Sequence, residues 1–90
     1  SAESVAGVND RAQLAEVDRT MRLRLARHFA RTGVTVRDPE TTYLGADVTL
    51  APDVVLEPNV HLRGRTRIDA GARIDTGRVL EDVHVLPGAV

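Results

Sequence analysis

Between Asp10 and Gly33 the apolar residues Leu14, Val17, Met21, Leu25 and Phe29 recur at spacings of three or four, with Arg and Glu filling the other faces. That period predicts one amphipathic helix over residues 10–32. Asn9 or Asp10 can cap its start, Gln13 follows Asp10 at capping-box spacing, and Gly33 offers a left-handed stop. The stripe is narrow and the opposite face carries Arg11, Asp18 and Arg22, so the helix is expected to lie on a neighbour along one side only. Val34 and Val36 then alternate with Thr35 and Arg37 until Asp38-Pro39 breaks the run, which predicts a short strand and a turn.

From Asp47 the period changes to six. Aliphatic residues stand at Leu50, Leu56, Leu62, Ile68, Ile74 and Leu80, and four positions after the first four of them come Val54, Val60, Thr66 and Ala72. Between the two inward positions of each unit lies a corner: Pro52-Asp53, Pro58-Asn59, Gly64-Arg65, Ala70-Gly71 and Thr76-Gly77, nearly all turn formers. A fixed repeat marks a solenoid, in which each unit buries its face only against its neighbours. Three six-residue sides close a coil of eighteen, so residues eighteen apart should stack in parallel ladders. The expected pairs are Leu50 with Ile68, Leu56 with Ile74, Leu62 with Leu80 and, outside the coil, Arg63 with Glu81. Two irregularities interrupt the rule. Arg78 occupies a position that asks for a small inward residue, and the side from Leu80 to His84 is one residue short, which could let Arg78 swing outward.

Composition narrows the chemistry. Phe29 and Tyr43 are the only aromatic residues in 90, so the core must be aliphatic. The absence of cysteine removes disulfides, thiolate metal sites and a thiol nucleophile, and leans toward the cytosol. All twelve basic residues are Arg, but thirteen acidic residues are interspersed and the net charge is -1, which leaves no field to hold a nucleic acid. No apolar run approaches the roughly 18 residues of a membrane span. His28, beside Phe29, is expected to stack or snorkel at the stripe edge in preference to acting as a ligand or base. His61 and His84 have no acidic or histidine partner at ligand spacing along the chain, so solvated outward positions are expected.

The hexads resemble the repeat of left-handed parallel β-helix proteins, most of them acyltransferases; the handedness comes from that resemblance alone. The order Gly7-Val8-Asn9-Asp10-Arg11, a long helix, Gly33-Val34-Thr35-Val36-Arg37-Asp38-Pro39 and then hexads resembles the middle of the bifunctional UDP-N-acetylglucosamine pyrophosphorylase/glucosamine-1-phosphate N-acetyltransferase (GlmU) family. The resemblance implies a mostly β chain with one long helix. Residues 1–10 would end a uridyltransferase domain, 11–33 form a linker helix, 34–46 a connecting strand and loop, and 47–90 the start of a left-handed β-helix acetyltransferase domain. It also implies a cytoplasmic homotrimer serving cell-wall precursor synthesis, with Mg²⁺, UTP and acetyl-CoA as cofactor and co-substrates. Asn9 matches the asparagine that in the family binds UDP-N-acetylglucosamine and Mg²⁺ with an aspartate far upstream. A carboxamide oxygen suits that hard cation, which usually takes few protein ligands besides phosphate oxygens and water; a helix cap is the competing role for Asn9.

The remaining site residues of both activities are expected outside these 90 residues, so no catalytic residue is assigned within them. The piece alone is expected to be inactive and marginally stable. Alternatives are a non-enzymatic trimerisation or spacer module, or part of another β-helix sugar-nucleotide or acyl transferase. A metal-dependent carbonic anhydrase of the β-helix type would need more converging histidines than His61 and His84.

Overall fold

The computed structural model describes residues 10–90. A helix, α1, runs over Arg11–Arg31. Asp10 caps it, its side chain accepting the Gln13 N–H at 2.7 Å, so the first turn is satisfied as the spacing predicted. At the other end Thr32 is the C-cap and Gly33 takes φ +99°. The Val34 N–H reaches back to the Phe29 carbonyl at 3.1 Å and the Gly33 N–H to Ala30 at 3.4 Å. This pair of bonds is a Schellman ending, and it turns the chain directly into the coil.

Nine short strands follow among the described residues: β1 Thr35–Val36, β2 Tyr43–Leu44, β3 Thr49–Leu50, β4 Val55–Leu56, β5 His61–Arg63, β6 Arg67–Ile68, β7 Arg73–Ile74, β8 Val79–Glu81 and β9 His84–Val85. They form three parallel sheets, β1–β4–β7, β2–β5–β8 and β3–β6–β9, which are the three faces of a parallel β-helix. Leu50 pairs with Ile68, Leu56 with Ile74 and Leu62 with Leu80, each in register. Val54, Val60, Thr66 and Ala72 are completely buried between the faces. Burial of each aliphatic side chain is worth roughly 1.5–3 kcal/mol, so these columns dominate stability.

The coil begins before the hexads do. The segment 34–46, expected as a connecting strand and loop, carries β1 and β2, which pair with β4 and β5. Thr35 pairs with Val55, twenty residues on, and not with a residue eighteen away. The two extra residues go into a 3₁₀ turn at Pro39–Thr41, capped by the Asp38 side chain on the Glu40 N–H. Proline at the start of that turn broke the hexad pattern, and Thr42 fills the inward position with its hydroxyl on the Asp38 carbonyl at 2.7 Å.

The shortened side is real, but it is absorbed one corner after Arg78. Val79 keeps the eighteen-residue step over His61, and the Arg78 carbonyl accepts the His61 N–H at 2.9 Å. The step falls to seventeen at β9, where His84 pairs with Arg67 and Val85 with Ile68. A one-residue corner achieves this: Asp82 adopts φ +55° and its carboxylate accepts the Arg65 N–H at 2.8 Å. Thr66 closes the junction from inside, donating to the Arg63 carbonyl at 2.7 Å and accepting the Val83 N–H at 3.4 Å. Arg78 is exposed, but the slip that was to let it swing outward comes only after β8.

The apolar stripe of the helix packs on the start of the coil with its second half only. Ala26 is buried and Leu25 and Phe29 pack on the core. Leu14, Val17 and Met21, the first half of the predicted stripe, stay 58%, 48% and 47% exposed. Arg63 and Glu81 stand in register, but no ion pair joins them among the described residues. Ion pairs between coils do form on the β1–β4–β7 face, where Glu57 meets Arg37 at 3.5 Å and Arg73 at 3.0 Å.

Candidate functional site

Asn9, the residue expected at substrate and Mg²⁺, lies outside the described residues. Among the described residues no group of three or more His, Asp or Glu side chains could hold a metal ion.

The three outer faces of the coil differ sharply in what they present. The β1–β4–β7 face carries the Arg37–Glu57–Arg73 ladder, extended by Asp75 at 3.7 Å from Arg73. On the β3–β6–β9 face Asp69 lies 2.7 Å from His84 Nε2 and 3.0 Å from Arg67 Nε. The sequence expectation that His84 lacks an acidic partner is thus corrected. Fifteen residues separate the two in the chain, and only the coil brings them together. The bond from His84, with Arg67 behind it, holds the Asp69 carboxyl below the usual carboxylate range. His84 is half exposed, and its bond to Asp69 ties the last coil to the one before it.

The β2–β5–β8 face is different. Tyr43 and His61, in register on adjacent strands, stack with ring centroids 4.3 Å apart and planes 17° from parallel. The helix reaches over this pair: the Arg22 guanidinium carbon sits 4.3 Å from the Tyr43 centroid, a cation–π arrangement. His61 is therefore a stacked and partly buried residue, not a freely solvated one. Eighteen-residue stacking places His61 over Tyr43, but Tyr43 precedes the hexads, where no repeat extends the rule. His28 sits exposed, edge-on to Phe29 at 5.1 Å. On the helix's other flank Arg19 clasps Glu40 of the 3₁₀ turn with two bonds, 3.0 and 2.6 Å.

No family model matches the chain. Among curated proteins it is similar to the bifunctional protein GlmU of Staphylococcus saprophyticus, 46% identical over 48 residues, which is 53% of this chain and 11% of that protein. Those of Limosilactobacillus reuteri and Kineococcus radiotolerans are 52% identical over 44 residues and 50% over 48, covering 49% and 53% of this chain. About half of the chain is thus similar in sequence to GlmU proteins. The match spans only about a tenth of the length of these GlmU relatives. The similarity falls in a chain whose helix leads into a parallel β-helix. No described helix is long and apolar enough to cross a membrane.

Proposed function

We propose that this chain is the junction of a GlmU-type bifunctional transferase, in which residues 1–10 end a uridyltransferase domain, α1 is the linker, and the coil opens a left-handed β-helix acetyltransferase domain. The parent protein transfers acetyl from acetyl-CoA to glucosamine-1-phosphate and then a uridylyl group from UTP, making UDP-N-acetylglucosamine in the cytoplasm. Its Mg²⁺ and nucleotide-sugar would meet this chain at Asn9. The observation that carries the reading is the Schellman turn at Gly33: it feeds a long helix straight into a three-sided parallel coil, in a chain of which half matches GlmU. The clasps at Arg19–Glu40 and Arg22–Tyr43 suit a linker that must hold one domain at a fixed angle to the next.

A chimera tests this. Residues 10–90 would replace the equivalent segment in a full-length GlmU relative, and both transferase activities should persist. A well-folded chimera lacking acetyl transfer would sink the reading. The 90-residue chain alone should turn over neither substrate above blank.

A second reading is favoured by the exposed stripe Leu14, Val17 and Met21: an assembly module that forms trimers through its coils without catalysing anything. Light scattering at rising concentration separates the cases, since a clean monomer counts against trimer-forming surface within these coils.

A further inference from the structure

A groove of about 240 Å³ lies between α1 and the β2–β5 strands, lined among others by Asp18, Met21, Arg22, Tyr43, His61 and Arg63. Arg22 is its central feature. The side chain is only 11% exposed, its flat face covers Tyr43, and its one side-chain partner is Asp18, at 3.3 Å from Nη1. Asp18 is itself 70% exposed, so this pairing is weak. On the opposite edge of the guanidinium, Nε is a buried donor without a partner among the described residues. A desolvated charged donor left unpaired costs free energy that an incoming acceptor would recover.

Charge points the same way: Arg22 and Arg63 line the groove against one lining carboxylate, Asp18, while Glu40 acts on Arg22 without a direct ion pair. The Nε/Nη2 edge is a planar two-donor fork, which matches the spacing of two oxygens on one carbon or phosphorus. We propose that this groove is an oxyanion subsite, taking a carboxylate or phosphate group side-on at Arg22. Nε is shielded in the structure, so binding requires the guanidinium to slide along the Tyr43 face, a displacement that keeps the cation–π contact. The proposal stands apart from the transferase assignment and can fail without affecting it.

Side-chain NMR on the full chain reads it directly. Inorganic phosphate and acetate are titrated at constant ionic strength against a chloride control, following the Arg22 Nε–Hε resonance. A saturable shift with either oxyanion and none with chloride is expected, and the arm that saturates identifies the source as phosphate or carboxylate. Arg22→Gln should weaken binding at least tenfold. Arg22→Lys keeps the charge and the helix but has no fork, and should also bind several-fold more weakly than the wild type. Equal shifts with chloride, or Arg22→Lys binding as tightly as wild type, overturns the proposal.

Discussion

Gly64 and Gly77 both adopt left-handed φ, +61° and +81°, yet their surroundings are opposite. A methyl group on Gly77 would meet nothing within 4 Å, whereas one on Gly64 would collide with the Asp82 carboxylate oxygen. Gly77→Ala should therefore cost only backbone strain, about 1–2 kcal/mol. Gly64→Ala adds eviction of the carboxylate that caps the Arg65 N–H, and should melt at a clearly lower temperature; equal losses would mean Asp82 swings away freely. Titration is a second residue-scale property. The bonds from Arg19 hold Glu40 low, as those from His84 and then Arg67 hold Asp69. Carboxylates depressed by folding contribute stability above the ordinary carboxylate range and lose it as pH falls through that range and below. Thermal melts should thus drop on acidification, and a Glu40→Gln, Asp69→Asn double variant should show a flatter acid limb; parallel limbs would refute this.

Among the elements, the hexads were legible because their period is itself physical: Leu56 and Leu62 must face inward for the coil to exist. The helix was legible by the same logic, down to Asp10 and Gly33. What covers its stripe was not, since periodicity marks Leu14 and Leu25 alike as apolar while only the later stripe residues pack on the core. Leu62→Ala should accordingly cost about 2–5 kcal/mol, enough to unfold a small domain, while Leu14→Ser should leave the melt nearly unchanged. A large loss at Leu14 would show that the stripe is covered in solution. The Asp69–His84 pair escaped sequence reasoning because it crosses strands after the slip at Asp82, where counting by eighteens fails. The Arg22–Tyr43–His61 stack escaped it because one member lies on the helix and another ahead of the hexads.

At the scale of the whole molecule each coil is stabilised by its neighbours, so order should be graded along the axis. β4, β5 and β6 are paired on both sides, while β7, β8 and β9 have one paired neighbour each among the described residues. Amide exchange should be slowest at Leu56, Leu62 and Ile68 and fastest in His84–Val85; uniform protection would instead indicate all-or-none opening or association through the coil end. The steps of twenty, eighteen and seventeen residues carry a wider lesson. Inside, the columns of Leu, Ile and Val are unaffected by whether a corner gains two residues at Pro39–Thr41 or loses one at Asp82. Corners are thus where lineages can lengthen or trim this scaffold without recutting its core, and where a foreign peptide could be grafted with the ladders left standing.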